Sequence, residues 1–126
     1  MCSSDLVSSS PYPEVGPWTA LPLPLSGHPD GLTVDAEGML WVAQYGTGEV
    51  QRFNPSGELL AVASVDTPEA TCVGFVGDER RTLLITTGRE SATDDNAGAL
   101  FGTTVEYTGL AEHRWTGSTS HPYWID

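Results

Sequence analysis

A chain of 126 residues holds one ordinary domain and is too short for two comfortable ones. Its 17 acidic side chains face only 5 basic ones, all arginines, for a net charge of -12, which argues against a polyanionic nucleic acid or an anionic membrane surface as partner. With Gly 14 and Pro 9, the chain is cut into segments too short for long helices, so an all-β fold is expected. Its two cysteines, Cys2 and Cys72, offer no disulfide framework, in keeping with a reducing, cytoplasmic setting. No apolar run approaches the ~20 residues of a membrane-spanning helix.

Residues 1–10 (MCSSDLVSSS) show no periodicity and lack both a basic n-region and an apolar core, so they do not read as a signal peptide. They are expected to be an artificial or disordered leader. Cys-Ser-Ser-Asp-Leu is also what one frame of a common sequencing-adapter end encodes. Residues 11–26 are Pro-rich; Trp18, Leu21, Leu23 and Leu25 alternate, but Pro22 and Pro24 remove ladder donors, which permits at most an edge strand. The strand pattern sharpens at residues 31–35 (GLTVD), closed by a turn at 36–38. Residues 39–44 (MLWVAQ) form a nearly continuous apolar run, as in a strand buried on both faces. A Gly-based reversal at 45–48 leads to a strand at 49–53. Asn54-Pro55-Ser56-Gly57 is a β-turn signature, and a fourth strand follows at 59–65.

The pattern then recurs. Strands are expected at 70–76, 82–87, 97–101 and 103–107, with a turn at 77–81 and a longer loop reaching Asn96. Residues 32–43 lie over 73–86, a spacing of about 40–45 residues, in the range of propeller blades. Propellers close with roughly 4–8 four-stranded blades. Two blades leave apolar faces uncovered, so residues 11–126 read as the C-terminal piece of a larger ring.

Pro29-Asp30-Gly31 with Leu40-Trp41-Val42-Ala43, Val50 to Pro55, Thr71-Cys72, Leu84 to Glu90 and Ala97 to Phe101 resembles the C-terminal third of the senescence-marker-protein/gluconolactonase/regucalcin family. The resemblance implies a six-bladed propeller that hydrolyses sugar lactones with one divalent metal at the mouth of its channel. Ca2+ is expected, with Zn2+, Mg2+ or Mn2+ as alternatives. It also implies that Asp30 ligates this metal and handles the proton of the attacking water. The family's other two ligands, a Glu near the N-terminus and an Asn in a middle blade, would come from the N-terminal blades needed to complete the ring, so the fragment alone is expected to be inactive.

The residues themselves support one grouping. In a propeller, the connection into a blade's innermost strand and the loop between its second and third strands open on the same face. Asp30 occupies the first kind of position; residues 45–48 and 89–96 occupy the second. Tyr45, Arg89 and Glu90 are therefore candidates for the substrate mouth beside Asp30. A hard cation takes oxygen ligands and lowers the pKa of a bound water, whose proton a carboxylate can accept. No GxSxG, HExxH or Walker loop suggests another chemistry.

Each candidate also has a plainer reading. Asp30 can be a turn residue, Tyr45 a packing aromatic, and Arg89 with Glu90 an exposed ion pair. Asp35, Glu37 and Asp66 read as turn and surface carboxylates, Asp94-Asp95-Asn96 as a solvated loop, Cys72 as a small buried side chain, and Trp41, Phe53, Phe75 and Phe101 as core. His28, His113 and His121 lack ligand spacing. A non-catalytic NHL-type binding propeller is the competing function, and a metal-dependent phosphotriesterase on the same fold a third.

Overall fold

The computed structural model describes residues 16–112, and the leader and the last two histidines lie outside them. Seven strands form two antiparallel sheets, with no helix among the described residues. The first sheet runs in the order β1 (His28–Val34), β2 (Leu40–Tyr45), β3 (Glu49–Phe53) and β4 (Leu59–Ser64). The second contains β5 (Ala70–Val76), β6 (Thr82–Thr87) and β7 (Leu100–Thr104).

The expected meander of four strands is present. In β2, Trp41 and Ala43 point to one face and Val42 and Gln44 to the other, and all four are buried. Trp41, Ala43 and Val50 of the first sheet pack on Ala70, Val73, Leu83 and Ile85 of the second to form the core. The turn after β3 is held as its sequence dictates: Gly57 N donates to Asn54 O at 3.0 Å, and Asn54 Oδ1 accepts from Glu58 N at 2.9 Å.

The second sheet departs from expectation. Residues 97–101 and 103–107 do not make two strands. Leu100–Thr104 is one strand, pairing along β6 from Thr86↔Leu100 to Thr82↔Thr104. Gly102 sits mid-strand opposite Leu84 and is not among the glycines with positive φ, so it does not reverse the chain. Beyond β7 the chain crosses back to the first sheet. Ala36 N donates to Thr108 O at 2.8 Å, Asp35 bridges Gly109, and Gly109 N donates to Arg80 O at 2.7 Å.

That crossing seals a polar cluster at the ends of β1 and β3. Asp35 is fully buried, not a surface turn carboxylate. Its Oδ1 accepts from Glu37 N (2.9 Å) and Met39 N (3.0 Å); its Oδ2 accepts from Trp41 Nε1 (2.9 Å) and Arg52 Nε (2.8 Å). The Arg52 guanidinium stacks 3.8 Å from the Tyr107 ring centroid and also pairs with Glu37. Burial raises the Asp35 pKa, but the bonds from Arg52, Trp41 and the Met39 amide outweigh it and hold the carboxyl below its usual value.

Residues 21–25 form no strand. Leu23 N donates to Leu21 O at 2.9 Å and Leu25 N to Leu23 O at 3.0 Å, two successive three-residue turns centred on Pro22 and Pro24. Proline's fixed φ and missing N–H favour this over a ladder.

Candidate functional site

The strand registers gather one set of ends. His28 at the start of β1 lies opposite Tyr45, Ala70 at the start of β5 opposite Thr87, and Leu100 at the start of β7 opposite Thr86. The end bearing Asp30 therefore also carries the turn after Tyr45, the lead-in to β5 and the loop 88–99. The Asp35 cluster occupies the other end.

Asp30 stands at a bulge. Pairing jumps from Pro29↔Gln44 to Leu32↔Val42, so Asp30 and Gly31 together face only Ala43. The first strand of the second sheet repeats this irregularity between Ala70↔Thr87 and Cys72↔Thr86, leaving Thr71 unpaired. The two first strands lie against each other, and a Cβ on Gly31 would fall 2.4 Å from Cys72 Sγ and 2.7 Å from Cys72 Cα. Only glycine permits that approach. Cys72 stays exposed and is not the buried small side chain expected; the core position on this strand goes to its neighbour Val73.

The backbone before Asp30 is fixed by two buried amides. Gln44 Oε1 accepts from Gly27 N at 3.2 Å and Gln51 Oε1 from Ser26 N at 3.1 Å. Ser26 Oγ adds bonds to Thr47 Oγ1 (3.0 Å) and Glu49 Oε2 (2.7 Å). The Asp30 side chain itself is exposed, and neither ion pair among the described residues involves it. An accessible carboxylate without a cationic partner is the kind of oxygen ligand a hard divalent cation takes. No group of three His, Cys, Asp or Glu side chains able to hold a metal occurs among the described residues. The Asp30 carboxylate has that chemistry, and the described residues alone offer no complete set of such ligands.

Two of the mouth candidates meet. Tyr45 OH donates to Glu90 Oε2 at 3.1 Å, joining the turn after β2 to the loop after β6. Arg89 and Glu90 do not form the exposed ion pair that was the alternative. Arg89 is exposed, and its Cβ lies 3.6 Å from where a Cβ on Gly98 would stand. Tyr45 ionises with difficulty, its pKa pushed up to about 12 by desolvation and then by the Glu69 and Glu90 carboxylates beside it.

Sequence reasoning missed Glu69. It is 1% exposed, and its Oε1 accepts from Ser91 N (2.7 Å), Ser91 Oγ (2.5 Å) and Ala92 N (3.0 Å), its Oε2 from Glu90 N (2.8 Å). The Ser91 hydroxyl and then these amides outweigh burial and hold its pKa down to about 2. Asp94, expected in a solvated loop, is exposed but accepts from Thr67 Oγ1 at 2.9 Å. No short-range signal marks Glu69, since its partners lie more than twenty residues away.

Comparison with known proteins fits this geometry. The sequence profile of the SMP-30/Gluconolactonase/LRE-like region matches residues 12–89. The chain is 36% identical over 97 residues to the 6-deoxy-6-sulfogluconolactonase of Pseudomonas putida, an alignment covering 72% of this chain and 33% of the relative. It is 34% identical over 98 residues to the L-arabinolactonase of Azospirillum brasilense, covering 73% and 32%. Among solved structures, a calcium-binding protein, regucalcin, from Agrobacterium tumefaciens superposes with a TM-score of 0.62 at 33% identity, over 71% of this chain and 32% of the other. The chain thus spans about one third of the length of the relatives it matches. It belongs to the SMP-30/gluconolactonase/LRE-like family, and its two antiparallel sheets are blades of a β-propeller.

Proposed function

We propose that this chain is part of a metal-dependent hydrolase of sugar lactones, with Asp30 as both metal ligand and proton acceptor. The observation that carries the reading is the placement of Asp30. Its exposed carboxylate sits at a bulge in a first strand, at the same end of the sheets as the Tyr45–Glu90 pair. Relatives named as lactonases supply the reaction class, and a structural neighbour named as calcium-binding makes Ca2+ the first ion to try.

Hydrolysis of a lactone adds water to the ring carbonyl and releases a hydroxy acid. A divalent cation held there would supply Lewis acidity toward the ring carbonyl and the attacking water. Asp30 would contribute an oxygen to that ion and take the proton the water loses. The Tyr45–Glu90 edge offers a phenol and a carboxylate to the substrate's ring hydroxyls, the kind of sparse polar contact that orients a ligand in a cleft. Further ligands and walls come from the two thirds of the relatives' length that this chain does not span.

The test uses protein carrying this chain within a whole propeller, supplied with Ca2+ and gluconolactone and followed by acid release. Asp30→Ala is expected to lower kcat by on the order of 100-fold or more. A variant as fast as its parent would remove Asp30 from the mechanism. A parent that binds the lactone without opening it would favour the non-catalytic NHL-type module.

A further inference from the structure

We propose that Thr67-Pro68-Glu69 is a clamp that sets the two mouth loops against each other, with Glu69 as its principal positioning residue. The lead-in to β5 passes between the turn after β2 and the loop after β6; Thr67 holds the loop, Pro68 the turn, and Glu69 both. The Pro68 carbonyl accepts from Gly46 N at 2.8 Å and Gly48 N at 2.9 Å, fixing the turn that carries Tyr45. Gly48 allows this approach: its φ is 67°, and a Cβ there would stand 2.3 Å from the Thr67 carbonyl oxygen. Glu69 bridges Tyr45 through its backbone, and its own carbonyl accepts from Gly88 N at 2.8 Å.

Its carboxylate then takes the amides of Glu90, Ser91 and Ala92, three successive residues curled around a single anion. Thr67 Oγ1 donates to Asp94 Oδ2 farther along the same loop. The 3.1 Å hydrogen bond between Tyr45 and Glu90 is the product of these bonds, since it joins the two segments they fix. Glu69 is buried and touches no substrate; it acts through Glu90 and Tyr45. That this edge meets the hydroxyls of a lactone rests on the function proposed above, whereas the clamp itself does not.

The experiment uses amide hydrogen exchange on the 126-residue chain. In Glu69→Gln, an isostere whose NH2 would face the loop amides, exchange at Glu90, Ser91 and Ala92 is expected to accelerate on the order of tenfold. Amides around Asp35, at the far end, are expected to keep their parent rates. Ser91→Ala, which removes only the hydroxyl donor, gives a smaller acceleration at the same three positions. Glu69→Ala empties the site the three amides surround, and formate or acetate, but not chloride, is expected to restore protection there. Unchanged rates at residues 90–92, a uniform rise over the whole molecule, or no response to formate overturns the proposal. So does a parent chain without protected amides, because every bond of the clamp lies within residues 45–94. Titration with gluconate, carried out on protein that holds this chain within a whole propeller, separates the two readings. Shifts of Tyr45 and Glu90 signals in the parent and none in Glu69→Gln support the clamp as a positioner of a hydroxyl-binding edge. A parent with the clamp's exchange pattern but no gluconate response counts against the lactone reading alone.

Discussion

Two buried carboxylates mark the opposite ends of the sheets, and each fails in its own way. Asp35 is wholly enclosed with Arg52, so Asp35→Asn removes the buried one of that guanidinium's two carboxylate partners, leaving only the exposed Glu37, and should cost about 3 kcal/mol in urea unfolding. Glu69 ionises near pH 2 in the folded protein against an ordinary 4.5, so the folded state binds its proton less readily than the unfolded chain. Its contribution to stability is therefore complete above about pH 4.5 and is lost as pH falls towards 2. An acid titration followed by circular dichroism should show this loss in the parent and a flatter profile in Glu69→Gln. Tyr45 acts in the opposite sense. Its raised pKa contributes stability below pH 10 that disappears as pH rises through 12. Neither carboxylate's burial was legible in the sequence. Asp35 precedes Ala36-Glu37-Gly38, an ordinary turn, and the residues that enclose it come from β2, β3 and the returning segment at 107–109. Asp30 differs, because its motif is local and contiguous.

Among the elements, the strands of the first sheet follow from local pattern: a continuous apolar run for β2, polar–apolar alternation for β3, and Asn-Pro-Ser-Gly between β3 and β4. The matching irregularities in β1 and β5 do not, since a bulge depends on the partner strand as much as on its own residues. Their consequence can be measured. Gly31→Ala places a methyl against both the side chain and the backbone of Cys72, and should destabilise the chain by about 2 kcal/mol. Cys72→Gly in the same chain should recover only part of this, because the methyl still meets the backbone of residue 72. A double-mutant cycle checks it, with additive effects counting against the coupling of the two positions. The sequence divides β7 into two strands because Gly102 looks like punctuation, yet a glycine in an extended conformation continues a ladder as readily as it ends one.

Across the whole molecule, the two sheets leave apolar side chains in water. Leu100 is 67% exposed and Leu32 56%, with Leu59, Val62 and Val76 also exposed on the sheets. In a ring such surfaces would meet neighbouring blades, so the isolated chain is expected to associate as its concentration rises. Sedimentation velocity should show this, and Leu32→Lys with Leu100→Lys should reduce it. A parent that stays monomeric at high concentration would count against exposed blade faces as its cause. The segment returning from β7 bears on how such blades could be exchanged between relatives. Tyr107 lies over Arg52, and Thr108 and Gly109 are tied to Ala36 and Asp35, so the second sheet supplies the lid of the first sheet's ionic cluster. A graft cut at the linker between the sheets would strip that lid and leave Arg52 half-covered. The smallest cassette that can be moved intact runs from the Ser26 anchor through Gly109, both blades together.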